Sequence, residues 1–325
     1  MYKNVMLPVD GSTFSREAVL HGVRIASQTG ATLRLVRVAV SPVFLGGPDA
    51  AGLEAEALRE ARSSELSELY AIAAECRAHS TVSVTASLER GPVIDALVGY
   101  AKREKVDLIV MRSHARGGLA RAWFGSTADG LIRESGIPVL VVRPPSVATG
   151  MEGGATYRRI LVPLDGSELA EQALAPAVTL ARMEGASLTL LRIVSAWRRR
   201  VAGELESALG PASANEVSQA QRYLDSLLTS DADRSLHISR RVVIADDVAS
   251  AILEIADYNE SDLIAIATRG RGALRRAAAG SVSDQVMRAS PVSTIVVHPI
   301  ATAEEVPASA QKQRSQSGAP ARASR

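Results

Sequence analysis

The chain has 325 residues, 46% hydrophobic and 22% charged, with a formal net charge of +2 at pH 7. That length favours two domains over a single core, and that balance excludes a disordered or low-complexity chain as the default. A charge so close to zero removes bulk electrostatics as a reason to expect nucleic acid or an anionic membrane as partner.

In chain order, the opening stretch MYKNVMLPVDGS interrupts its apolar run with Pro8 and Asp10, where a secretory leader needs continuity. No later run reaches membrane-spanning length, so a cytoplasmic protein with no membrane partner is expected. Val5–Val9 reads as the first strand. The segment STFSREAVLHGVRIASQTG then opens on Ser and Thr cap candidates, repeats apolar residues at helical spacing and closes on Gly30. Further strands are expected at Thr32–Val38, Val82–Leu88, Leu108–Met111 and Val139–Val142, separated by longer amphipathic segments. The single cysteine, Cys76, lies in a helical pattern with no possible intrachain disulfide partner, so it reads as a small buried apolar residue in a reducing compartment.

Past Val142 the pattern starts again. YKNVMLPVDGSTFSREAV from position 2 returns as YRRILVPLDGSELAEQAL from position 157, an offset of 155. The same offset carries GATLRLVRV onto GASLTLLRI, Asp107-Leu108-Ile109 onto Asp262-Leu263-Ile264, and Gly125-Ser126 onto Gly280-Ser281. The second set of strands is expected near Ile160–Leu164, Ser187–Val194, His237–Ile244, Leu263–Ala267 and Thr294–Val297. Alternating strands and helices require crossovers, which favour parallel pairing. The expected fold class is therefore α/β: two repeated doubly wound, Rossmann-like domains, each a five-stranded mostly parallel sheet with helices on both faces. The expected divisions are a first domain over 1–145, a linker over 146–156 and a second domain over 157–300. The tail over 301–325 loses apolar periodicity and is expected to be disordered.

Taken together, the strand-Pro-x-Asp-Gly-Ser opening, the Asp-Leu-Ile strand before a glycine-bearing loop and the closing Pro-Val strand resemble the universal stress protein family in its tandem form. The resemblance runs from Tyr2 to Pro299. It implies a loop reading Gly, two residues, Gly, nine residues, then Gly-Ser or Gly-Thr in nucleotide-binding members. In the first copy the two leading glycines fall on Arg112 and Ala115, while Gly125 and Ser126 match. In the second, Ala267 replaces the first glycine, whereas Gly270, Gly280 and Ser281 match. A phosphate loop needs backbone N–H groups close to the anion, which glycine permits and a side chain obstructs. Arg112 adds a cation that either fills the pocket or itself pairs with phosphate.

The resemblance also implies that Asp10 and Asp165 hold the adenine or ribose end of ATP, and that Val38 and Ile193 supply backbone and apolar contact to the base. Each Asp is equally explained as a turn residue in Asp-Gly-Ser, and Ser126 or Ser281 as a helix cap without a ligand. Arg269, Arg271, Arg275 and Arg276, with His114, Arg116 and Arg121 in the first copy, put positive charge on both loops. Arg198-Arg199-Arg200 is a short basic run beside one aromatic residue, Trp197, which is too little to argue nucleic-acid binding.

The expected function is adenine-nucleotide binding in a stress response, with ATP, alone or with Mg²⁺, as ligand and the second copy as the better-preserved site. No nucleophile, oriented general base or metal cage is apparent, so efficient turnover is not expected, although a slow ATPase stays open. The alternative is an interaction protein whose degenerate loops bind no nucleotide. The apolar closing strands are expected to pair the two copies as an intrachain pseudo-dimer, with a homodimer of chains left open.

Overall fold

Short aliphatic and β-branched runs form ten strands, and the amphipathic segments between them form helices, in this computed structural model. The structure describes residues 1–39, 51–112, 125–143, 156–195, 211–230, 233, 235–268 and 282–298. The first repeat runs β1 (Asn4–Pro8), α1 (Thr13–Thr29), β2 (Thr32–Val38), α2 (Ala51–His79), β3 (Val84–Glu89), α3 (Val93–Arg103), β4 (Leu108–Arg112), α4 (Ser126–Glu134) and β5 (Val139–Val142). The second runs β6 (Arg159–Leu164), α5 (Glu168–Glu171), α6 (Leu174–Glu184), β7 (Ser187–Ser195), α7 (Pro211–Ser226), β8 (Ile238–Ala245), α8 (Val248–Tyr258), β9 (Leu263–Ala267), α9 (Val282–Ala289) and β10 (Ser293–Val297). All ten expected strands are present, with ends that differ by one or two residues at most.

The strands share one sheet in the order β3-β2-β1-β4-β5-β10-β9-β6-β7-β8. Every ladder is parallel except β5 with β10, which is antiparallel. Because successive strand residues face opposite sides, Val5, Leu7, Leu33, Leu35, Leu108 and Val110 pack against α1 and α2, while Met6, Val36, Ile109 and Met111 pack against α3 and α4. The second repeat does the same with α6 and α7 on one face and α8 and α9 on the other. Cys76 belongs to the first of these cores; burial pushes its thiol up to about 11, so it is an inert packing group.

Local chemistry explains the helix ends. The Ser12 hydroxyl caps α1 by accepting from the Ser15 N–H, and Gly30, at φ 71°, closes it in the left-handed conformation. Ser167 and Gly185 repeat both devices in the second copy. Between them, however, the counterpart of α1 is broken into α5 and α6, just ahead of Pro176. Proline has no N–H to bond back one turn and its ring crowds that turn, so the helix restarts there.

The repeats meet at β5 and β10, where Val139, Leu140 and Val141 pair with Val296, Ile295 and Thr294. On the α1 and α6 face, Arg24 donates through Nε to Glu184 at 3.0 Å, forms a second bond to it through Nη2, and donates through Nη1 to Thr156 at 2.9 Å. Tyr157 stacks on His21, with the hydroxyl 3.4 Å from Nδ1. On the opposite face, Arg143 donates to the Met287 carbonyl at 2.9 Å, capping the end of α9 from the other repeat.

Candidate functional site

The crevices follow from the prolines in the Pro-x-Asp-Gly-Ser segments. In β1, Asn4 presents its carbonyl to the Asp107 N–H leading into β4, while Val9 donates to Val36 on the β2 side. Alternation therefore turns Asn4, Met6 and Pro8 toward β4. The β1–β4 ladder carries Val5 to Leu108 and Met6 to Ile109 and stops, although β1 stays paired with β2 as far as Pro8 and Val36. The next donor toward β4 would be the N–H of residue 8, and proline has none. Pro163 repeats this in β6: its ladder with β9 ends at Leu161 and Ile264, while its ladder with β7 continues to Leu164 and Arg192. Each repeat thus opens at the carboxyl ends of its two central strands, on either side of which the strand order reverses. That is where open α/β sheets form ligand crevices.

Asp10 and Asp165 stand exposed at the mouths of these openings. Each carboxylate accepts from the N–H of the serine two residues on, at 3.0 Å in both repeats, and from that serine's hydroxyl. The same serines cap α1 and α5, so the Asp-Gly-Ser turn is internally satisfied. Gly11 and Gly166 take φ of +80° and +84°, which the turn requires and a side chain would strain. Val38 is half-buried and Ile193 buried, both against the core that α3 and α8 cover.

Gly125 is the N-cap of α4 and Ser126 its first residue, so the serine is not the cap. At φ −59° any residue fits the backbone, and among the described residues a Cβ there would meet nothing within 4 Å. The N–H groups of the first turn have no intrahelical partners. Arg112, at the end of β4, has its Nε and Nη1 shielded from solvent. It stands where the family's loop would begin with a glycine. Ala267 ends β9 at the equivalent place.

Gly270, Gly280 and Ser281 lie outside the described residues, as do His114, Ala115, the loop arginines, Trp197 to Arg200, the 146–155 part of the linker and the tail. Among the described residues, no group of three or more His, Cys, Asp or Glu side chains could hold a metal ion, and no helix is long and apolar enough to cross a membrane.

The model of the universal stress protein family matches residues 1–143 and again 156–298. The chain belongs to the universal stress protein family. A tandem universal stress protein of Mycobacterium tuberculosis is 27% identical over 297 residues, covering 90% of this chain and 96% of that one. A shorter universal stress protein of Methanocaldococcus jannaschii is 32% identical over 147 residues, 45% of this chain and 84% of its own. Among solved structures, a universal stress protein from Archaeoglobus fulgidus superposes with a TM-score of 0.60 at 18% identity, covering 91% of this chain and 98% of that chain.

In this universal stress protein the Asp107 and Asp262 that the offset pairs have a structural role. Asp107 clamps the start of β1 by accepting from the N–H groups of Lys3 and Asn4 at 2.7 and 3.1 Å, and Asp262 clamps β6 through Arg158 and Arg159 at 2.6 and 3.1 Å. The Asp of each Asp-Leu-Ile strand is therefore a strand clamp. Pro8 and Pro163 were equally open to recognition, because proline near the end of a central strand must be paid for by a missing ladder bond.

Proposed function

We propose that this chain is an adenine-nucleotide-binding stress-response protein whose second crevice is the working site, with ATP as ligand. The observation that carries the reading is the early end of the β6–β9 ladder at Leu161 and Ile264, which leaves Asp165 and Ala267 across an opening at the strand-order reversal. Gly270, Gly280 and Ser281 follow in sequence as the loop that would wrap the phosphates. The first crevice shares the opening and the start of α4, but carries Arg112 where the loop would begin with glycine. Asp10, Val38, Gly125 and Ser126 would serve a nucleotide there.

In this reading Asp165 and Ile193 hold the base and ribose, and Gly280 and Ser281, which precede α9 in sequence, would bind the phosphates. Mg²⁺, where present, would be carried mainly by the phosphates and water, as is usual for this ion. Function lies in binding; a positioned water would give at most slow hydrolysis. A cytoplasmic location belongs to the same proposal.

Calorimetric titration of the full chain with ATP, beside a Gly280→Arg variant, tests it. Saturable binding that the variant loses assigns the ligand to the second repeat. No heat at millimolar ATP and Mg²⁺ rejects the nucleotide reading.

A further inference from the structure

The residue ahead of Val38 and of Ile193 is an arginine in both repeats, Arg37 and Arg192. Both side chains fold back over the Asp-Gly-Ser turn: a Cβ on Gly11 would lie 3.1 Å from Nη1 of Arg37, and one on Gly166 would lie 3.9 Å from Nη2 of Arg192. Arg192 also donates through Nη1 to the Leu164 carbonyl at 3.4 Å, which places the guanidinium at the carboxyl end of β6.

The charges around the two arginines differ. Arg37 is neutralised from α2 by Glu68 at 2.7 Å and Glu65 at 3.7 Å. The offset of 155 puts Tyr223 and Ala220 of α7 at those two positions. Tyr223 donates its hydroxyl to Glu171 at 3.0 Å, and Asp165 accepts from the Ser167 N–H at 3.0 Å. Arg192, Asp165 and Glu171 all act on the Tyr223 hydroxyl, whose proton is held well above the ordinary phenol range by burial first and the bond to Glu171 second. Glu171 thus takes its hydrogen bond from a neutral donor, and Arg192 forms no ion pair among the described residues. A half-buried guanidinium with unspent donors is a ready partner for a phosphate.

We propose that Arg192 recognises a negatively charged group of the ligand in the second crevice, a phosphate carried by the nucleotide, and that Glu65 and Glu68 withdraw this role from Arg37 in the first. The inference rests on the nucleotide reading above and adds the residue that separates the two crevices.

The test titrates the full chain and its Arg192→Gln and Tyr223→Glu variants with ATP and with adenosine. Tyr223→Glu keeps the arginine and gives it the counter-ion that Glu68 gives Arg37, so it tests the charge even if Arg192→Gln fails to fold. Both variants should bind ATP about tenfold or more weakly and bind adenosine as the parent does. Unchanged ATP affinity, or equal losses for ATP and adenosine, overturns the role of Arg192 while leaving nucleotide binding in place. Failure of the parent to bind ATP overturns the nucleotide reading and this inference with it.

Discussion

Leu140 and Ile295 are the same position in the two repeats, 155 residues apart, and they face each other in the antiparallel β5–β10 ladder. The pseudo-two-fold axis of the chain therefore passes between them. Both are fully buried, in the core shared with α1 and α6. One continuous sheet makes the repeats a single structural unit.

Replacing Leu140 with Ala should accordingly destabilise the whole chain by about 2–5 kcal/mol, through lost burial and the cavity left behind. Urea denaturation should show one transition moved to lower urea. A second transition, with the other repeat unmoved, would show that the repeats unfold independently.

His21 titrates at the junction. Burial first, and Arg24 second, lower it from 6.5 to about 4. The folded protein thus resists protonation while the unfolded chain accepts it, so His21 contributes stability that is present above pH 6.5 and lost as pH falls toward 4. The full span is worth about 3 kcal/mol. Denaturation at several pH values should show that loss in the parent and a smaller one in His21→Gln, which stays neutral. Parallel pH profiles for the two proteins would refute it.

Glu184 has a side chain only 1% exposed, and burial, the larger effect, raises its carboxyl despite the opposing pull of Arg24. Arg24→Ala would leave that carboxylate without its cation, with the Gln28 side chain still bonded to it, at a cost of about 3–5 kcal/mol. Adding Glu184→Gln should recover part of the loss. A thermal melt in which Arg24→Ala matches the parent would show the pair to be energetically idle.

Asp262 holds two N–H groups at the start of β6, and its carboxyl is raised by burial despite those bonds. Asp262→Ala should cost about 1–3 kcal/mol by leaving those donors without their acceptor. Amide exchange at Arg158 and Arg159 should accelerate more than exchange in the rest of β6. Uniform acceleration along the strand would point to global loosening instead.

The repeat, the ten strands and the Ser12 and Gly30 helix ends were readable from the chain, because each depends on short-range periodicity or capping chemistry, whereas the break ahead of Pro176 emerged only in the fold. The likeness of Asp10 to Asp165 and of Val38 to Ile193 was equally plain, since an offset is visible in letters. The antiparallel register that sets Leu140 against Ile295 was not, nor was the bond between Arg24 and Glu184, because contacts between residues so far apart leave no local trace. The same reason hid the difference in charge around the two strand-end arginines. Arg37 and Arg192 read alike along their strands, and only the packing of α2 and α7 over them brings a carboxylate to one and a phenol toward the other.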